Sequence, residues 1–188
     1  MEARQSAIIK AAIHLFRRQG FAKTSVAAIC SAAGVATGSF YRYYRSKTEI
    51  FVAIYNLENE RVKKEILDRI KWTDPPKEIA NGLISEIFQA TADSRILGEW
   101  LQHSSLSETI GKQNEASWQN NYIYATLREI IDAWMQKGLI KAEFTKTRIL
   151  ALFNVVIVVD LHRWELQITD YEQTIRDLVN AILDSVLK

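Results

Sequence analysis

Between Thr24 and Phe51 the chain reads TSVAAICSAAGVATGSFYRYYRSKTEIF, and this stretch leaves little freedom. Thr24 or Ser25 is placed to cap the free N–H groups of a helix. Val26, Ile29 and Cys30 then share one face at helical spacing. Ala27, Ala28, Ala32 and Ala33 let a neighbouring helix approach closely, Gly34 supplies a tight turn, and Val35 plugs the core beneath it. A second short helix is expected over Ala36–Tyr43, held from inside by Phe40 and Tyr44. Ser46-Lys47-Thr48-Glu49 is a capping box that opens a longer helix. Two short helices about a glycine turn, followed by a capped helix start, make a helix-turn-helix with Ala36–Tyr43 as its second, outward element.

The residues of that second helix state what it could do. Thr37, Gly38 and Ser39 are small at its N-terminal end, as a helix must be to enter a major groove about 12 Å wide. Thr37 and Ser39 can hydrogen-bond base edges or meet a thymine methyl, and Arg42 can pair with guanine or clamp a phosphate. Tyrosine hydroxyls at Tyr41 and Tyr43 reach phosphates, and Lys47 with the N–H groups of the next helix can hold another. The expected DNA-facing set is Thr24, Ser25, Thr37, Gly38, Ser39, Tyr41, Arg42, Tyr43 and Lys47.

Charge points the same way. The first 50 residues hold eight Lys or Arg against two Glu, whereas the whole chain nets only +2, which leaves a net −4 on the remainder. A basic head on a mildly acidic body is the electrostatic footprint of a nucleic-acid binder whose other part has another task. The 188 residues include only two prolines and seven glycines, and long segments between them carry helical periodicity, so an all-α fold is expected. The lone Cys30 cannot form an intrachain disulfide and fits a reducing compartment. The N-terminal stretch lacks the pattern of a signal peptide. The most apolar run, Ile149–Val159, is interrupted by Asn154 and ended by Asp160, too short for a bilayer core of about 30 Å. A soluble, cytoplasmic protein with no membrane partner is the expectation.

From Ala7 through Phe51 the sequence resembles the DNA-binding head of the tetracycline-repressor (TetR) family. The resemblance rests on a first helix whose apolar stripe of Ile8, Ala12, Leu15 and Phe16 ends in Gly20-Phe21, then on Thr24-Ser25-Val26, Ile29, Ala33-Gly34-Val35, Gly38, Phe40-Tyr41, Tyr43-Tyr44, Ser46-Lys47 and Ile50-Phe51. Tyr44 stands where that family more often has phenylalanine. The resemblance implies a homodimeric, all-helical transcription regulator, usually a repressor. It implies a three-helix helix-turn-helix head and a helical ligand-binding and dimerisation body, about nine helices in all. It also implies a small-molecule cavity in the body and a dimer interface made by the last two helices. The division expected is a DNA-binding domain over 1–50 and an effector-binding and dimerisation domain over 51–188.

The rest of the chain can be read beside that. The first helix is expected from about Glu2 to Gln19, stopped by Gly20. The helix from Lys47 to about Trp72 is dense in apolar residues to Leu57, then keeps only Val62, Ile66 and Ile70, which suits a lever. Asp74-Pro75-Pro76 starts the next helix, whose buried face is Ile79, Ala80, Leu83, Ile84, Ile87 and Phe88. A short helix is expected over Arg95–His103 and a long one over Ser117–Lys137, stopped by Gly138; the polar stretch Ser104–Ala116 gives no clear pattern. The helix from about Thr145 to Gln167 is apolar nearly all round and must be buried nearly all round, one side by its own body and the other by a partner. Thr169 to Glu172 reads as a second capping box for the final helix. Half of a four-helix bundle completed by a second subunit would use Val156, Val159, Arg163, Ile175, Leu178, Val179, Ile182 and Val186.

No Walker loop, dinucleotide glycine fingerprint, HExxH or GxSxG occurs in the sequence, and His14, His103 and His162 are scattered, so neither an enzyme nor a metal site nor a cofactor is expected. An effector pocket could be walled by Phe88, Trp100, His103, Trp118, Tyr122, Trp134, Phe153 and Asn154, although aromatics at helical spacing are more often plain core. Asp160 would pair with Arg163 or His162. The expected function is a sequence-specific DNA-binding regulator, a repressor released from a palindromic double-stranded operator by a small-molecule effector. The alternative is a helical interaction scaffold or small-molecule-binding protein without specific DNA binding.

Overall fold

A computed structural model describes residues 3–99, Leu106 and 122–188. Among these residues there are nine α-helices: α1 Ala3–Lys23, α2 Val26–Ala33, α3 Thr37–Tyr41, α4 Lys47–Arg69, α5 Pro76–Asp93, α6 Arg95–Gly98, α7 Tyr122–Gln136, α8 Lys146–Leu161 and α9 Tyr171–Val186. The fold is all-α, as expected from the periodicity. The chain forms two compact units. One holds residues 1–62 and 90–110, the other 63–89 and 111–188. The first unit therefore takes in α6 from far along the chain and is not the first 50 residues alone.

In the first unit α1 is interrupted at Gly20, whose φ of 82° and ψ of 174° no helical residue adopts. Only glycine takes that backbone conformation without steric cost, so the expected stop is a break followed by a last turn to Lys23. Of the two candidate caps for α2, Ser25 is the one used: its hydroxyl accepts the Ala28 N–H at 3.1 Å. Gly34 closes α2 in the left-handed conformation, φ 66° and ψ 33°. The third helix is shorter than the expected Ala36–Tyr43. The N–H groups of Tyr43 and Tyr44 both donate to the Phe40 carbonyl, at 2.9 and 3.0 Å, which closes the turn instead of extending it. The capping box at the start of α4 forms: Ser46 Oγ accepts the Glu49 N–H at 3.1 Å, and Glu49 Oε2 reaches back to the Arg45 N–H at 2.5 Å.

Burial organises this unit around phenylalanine. Phe16, Phe21 and Phe51 meet edge to face or tilted, with ring centroids 5.0 to 6.2 Å apart. Ile8, Ile29, Phe40, Ile50, Ile96 and Leu106 complete the core. Such contacts add roughly 0.5–1.5 kcal/mol per aromatic pair beyond area burial. Outside the core, Glu58 on α4 accepts from Arg17 on α1 at 3.2 Å and from Arg61 at 3.1 Å.

The second unit has its own core of Ile84, Ile131, Trp134, Ile140, Ile149, Leu150, Tyr171, Ile175, Val179, Leu183 and Val186. Gly138, φ 68°, ends α7 as expected. The α5 face is narrower than expected: Ile79, Ala80 and Ile84 are buried, whereas Ile87 is exposed. The expected capping box at 169–172 does not form. The last helix begins at Tyr171 after Asp170, without a side-chain cap, because Tyr171 is drawn into the core and donates its hydroxyl to Asp160 Oδ1 at 3.2 Å. Burial pushes the Tyr171 phenol well above its ordinary range, and the Asp160 charge pushes it further. Asp160 also faces Arg163 at 3.9 Å, the expected structural pairing. Its carboxyl is raised by burial, against the pull of Arg163 and Tyr171.

Glu58 yields a pH test. Burial raises its carboxyl, but the hydrogen bond and charge of Arg61, then those of Arg17, outweigh this and leave it below the ordinary value of 4.5. A depressed carboxylate stabilises the fold fully above its unfolded value and loses that contribution as pH falls through the folded one. Thermal melts should show wild type exceeding Glu58→Gln by at most about 1 kcal/mol near neutrality, with the gap closing below about pH 4.5. A gap that is constant across pH would contradict the pairing.

Candidate nucleic-acid interface

The outward face of α2 and α3 is built by what lies under it. Phe40, fully buried, and Tyr44, nearly so, fix α3 from inside, with their rings 5.8 Å apart. This leaves Thr37, Gly38, Tyr41 and Arg42 exposed and Ser39 half-buried. Tyr41 packs the edge of its ring on Phe40 at 5.4 Å while remaining 56% exposed. Tyr43 is half-buried and leans on the core. Ser25 is exposed beside them at the start of α2.

Thr24 does not belong to this face. It is only 2% exposed, and its hydroxyl donates to the Gly20 carbonyl at 2.7 Å, satisfying the group left open where α1 breaks. A threonine beside a helix start reads as a cap or a phosphate contact in sequence; here the glycine break captures it first. Lys47 is also more occupied than expected. Its ammonium donates to the Phe21 carbonyl at 2.8 Å and lies 4.1 Å from the centroid of the Phe21 ring. Burial lowers its pKa, with the Glu99 carboxylate acting in the opposite direction. Arg45 stands outside the expected set. Its side chain is exposed at the turn before α4, and its position beside the capping box was the available signal.

Gly38 is the most informative residue of the face. A Cβ placed on it would meet nothing within 4 Å, so the protein's own packing does not require glycine there. Gly20 differs: a Cβ there would lie 2.2 Å from Glu99 Oε1. Gly34 differs too, since its φ of 66° favours glycine whatever the space.

Of the candidate effector residues whose side chains are described, Trp134 alone lines the cleft of the second unit, a space of ≈ 250 Å³ bounded by Trp72, Ile79, Thr126, Glu129, Ile130, Ala133, Trp134 and Lys137. Phe88 packs on Tyr171 and Arg163 instead. Phe153 lies against the core, and Asn154 Oδ1 is buried without a hydrogen bond. Trp100, His103 and Trp118, and the side chain of Tyr122, lie outside the described residues. His162 does not line the cleft; it is half-exposed and bonded to Glu165 at 2.8 Å.

The expected dimer residues also need correction. Ile175, Val179, Ile182 and Val186 are buried within the chain itself, so they offer no surface to a partner. Val156 and Val159 lean on the same core, and Arg163 stacks on Tyr171 at 4.3 Å. Among the described side chains of α8, the exposed large apolar ones are Val155 and Val158, 56% and 55% exposed. Leu178 is half-buried.

Residues 8–54 match the family model for bacterial regulatory proteins of the tetR family. Over 99% of its length the chain is 25% identical to the HTH-type transcriptional regulator AcrR of Shigella flexneri, covering 90% of that protein. Among solved structures, it is similar to Thermus thermophilus FadR, a TetR-family transcriptional repressor in complex with lauroyl-CoA. The TM-score there is 0.68 at 20% identity, covering 98% of this chain and 95% of that one. It is also similar to SmeT, the repressor of the Stenotrophomonas maltophilia multidrug efflux pump SmeDEF, with TM-score 0.61 at 15% identity, covering 100% of this chain and 93% of that one. These two likenesses describe the fold. Residues 8–54 are thus a helix-turn-helix DNA-binding domain of the tetR type, and the chain is similar over nearly its whole length to a transcriptional regulator. Regulators of this family are not enzymes. Among the described residues no group of His, Cys, Asp and Glu could hold a metal ion, and no helix is long and apolar enough to cross a membrane.

Gly38→Ala separates folding from reading. Alanine is favoured over glycine in a helix by up to about 1 kcal/mol, so the melting temperature should hold or rise. Operator affinity in a gel shift should nonetheless fall, because the added methyl stands where DNA approaches. Unchanged affinity would remove Gly38 from the interface. Thr37→Ala should change base preference at one operator position, read by binding to a panel of single-base variants.

Proposed function

We propose that this regulator binds a palindromic double-stranded operator as a homodimer, represses by occupying it, and is released by a small-molecule effector. Gly38 carries the DNA-contact assignment: a glycine with open space around it, at the exposed N-terminal part of α3, is needed only by something that comes from outside. Ser25, Thr37, Ser39, Tyr41, Arg42, Tyr43 and Lys47 join it, with Arg45 as an added phosphate contact. Thr37 and Ser39 read base edges; the cations and tyrosines position the helix on phosphates. The net +6 on the first 50 residues steers the approach. Residues 1–50 then serve as the reader and 51–188 as the effector-binding and dimerisation part, in a protein acting in the cytoplasm.

The exposed face of α8 supports the dimer reading. Val155 and Val158 lie three apart on one face, and Ala151 is exposed one turn earlier. Exposed valines at the middle of an apolar helix are costly in water, by roughly 25 cal/mol for each Å² left uncovered, and a second copy would cover them. Two-fold pairing would present two α3 helices about 34–36 Å apart, one turn of B-DNA.

The cleft lined by Trp72 and Trp134 supports the effector reading. At ≈ 250 Å³ it lies just below the usual range of roughly 300–1,000 Å³, which suits a compact ring-bearing molecule with a polar group facing Glu129 or Lys137. Release needs that molecule to favour the DNA-incompetent state by several kcal/mol, not merely to bind tightly. In this reading α4 swings and the spacing of the two readers is lost.

Two measurements test this. A gel shift with the protein's own upstream DNA should show specific retardation; none at any salt concentration would overturn the operator reading. Size exclusion with light scattering should give a dimer at micromolar concentration. Val155→Asp with Val158→Asp should give a folded monomer whose operator affinity drops at least about 100-fold, since the two half-sites no longer reinforce each other. A wild-type monomer would sink the paired reader.

A further inference from the structure

One side of the cleft in the second unit is α7 with Lys137 just beyond it; Trp72 and Ile79 line the other. At about 3.6 residues per turn, Ala133 and Lys137 fall in the middle of the α7 side, with Glu129 on one flank and Trp134 on the other. Ala133 is small and exposed, which leaves the middle open. Three polar groups of this lining are unanswered. The side chains of Glu129 and Lys137 have no ion-pair or hydrogen-bond partner among the described residues. Their own helix offers none. Ala125, Thr126, Asp132 and Ala133 stand three and four positions from Glu129, and Ala133 and Trp134 stand at those positions before Lys137. None is an opposite charge at the spacing where helical pairs meet. Trp134 is only 6% exposed, yet its indole N–H also lacks a partner among the described residues, whereas a buried one ordinarily finds one. A carboxylate and an ammonium therefore border one cleft from positions about 12 Å apart along the helix axis. Helical side chains lean toward the N-terminus, so both lean the same way and neither answers the other.

We propose that this cleft takes a flat aromatic zwitterion, a single ring with an ammonium group at one end and a carboxylate at the other. This rests on the reading of the cleft as the effector site and names the chemical class of its ligand. The ring lies over Ala133, against Trp72, Ile79 and Ile130. Its carboxylate accepts from the Lys137 ammonium and the Trp134 indole N–H, which are neighbours at three-residue spacing. Its ammonium faces the Glu129 carboxylate. A neutral ring leaves both protein charges unanswered, and a ring with one charge answers one of them. The space of ≈ 250 Å³ suits one ring and not a fused or long-chain ligand. The ordinary structural reading, in which Glu129 and Lys137 are solvated and Trp134 is plain core, makes a different forecast: charge on the ring would not matter.

The experiment uses the full-length protein and three probes of one ring size: 4-(aminomethyl)benzoate, benzoate and benzylamine. Saturation-transfer NMR titrations give their dissociation constants. The zwitterion is expected to bind several-fold more tightly than either single-charged ring. Lys137→Met should reduce it to the affinity of benzylamine, and Glu129→Gln to that of benzoate, each a loss of up to about fivefold, the scale of one exposed ion pair. Ala133→Phe, which fills the middle of the cleft from an exposed position, should abolish binding of all three probes without lowering the melting temperature. Absence of binding, a zwitterion that binds no better than its two halves, or an affinity untouched by Lys137→Met and Glu129→Gln would each overturn the proposal. So would binding that survives in a folded Ala133→Phe. If Ala133→Phe does not fold, the two charge variants decide alone. A gel shift with the operator fragment and added 4-(aminomethyl)benzoate separates this proposal from the effector reading beneath it. Binding in the cleft without release of DNA would leave the zwitterion site standing and overturn the effector reading alone. Release that persists in Ala133→Phe would place the effector elsewhere and overturn both.

Discussion

A five-residue helix cannot hold itself in water. Isolated helices shorter than about 12–15 residues are marginal at best, and α3 spans only Thr37–Tyr41. Its persistence depends on Phe40, buried completely in the head core and joined there by Tyr44. Around that anchor the first unit is arranged: Phe16, Phe21 and Phe51 lock α1 to the start of α4, and Gly34 sets the turn that delivers α3 to the surface. The outward residues can be small and polar because the inward one does the holding. This division of labour within five residues is what makes a DNA-reading surface possible.

The second unit obeys a different constraint. Helix α8 is apolar on nearly all sides, yet the chain buries only one of them. Ile149 and Leu150 enter the core, and Val155 and Val158 face out. The final helix packs onto the chain's own core through Ile175, Val179 and Val186 and is tied to α5 by polar contacts: Arg176 reaches the Ser85 hydroxyl at 2.7 Å, and the Asn81 and Asn180 amides bond each other. The uncovered valines give the proposed paired reader its physical motive.

The sequence disclosed the parts whose signals are local and missed those whose partners are distant. The α2–turn–α3 pattern, the Ser46 cap and the Gly138 stop were legible because each is set by neighbours in the chain. Val155 and Val158 could not be told from Val156 and Val159, because a helix apolar all round has no preferred face until its neighbours are placed. Thr24 resembled a cap or a phosphate contact until the broken α1 supplied a carbonyl for it. Lys47 was legible as a cation at a helix start, but not the Phe21 carbonyl that takes its ammonium from 26 positions earlier. Pocket residues were hard to read for a similar reason: aromatics at helical spacing serve cores and clefts alike, and Trp72, in the connection after α4, carried no periodic signal.

The central claim is that α3 of two copies reads one palindrome. Footprinting on the protein's own upstream region tests it most directly. The account predicts two protected half-sites related by two-fold symmetry, with major-groove contacts about one helical turn apart, and loss of protection when half a turn of DNA is inserted between them. Protection of a single unpaired site, or protection indifferent to that insertion, would contradict it.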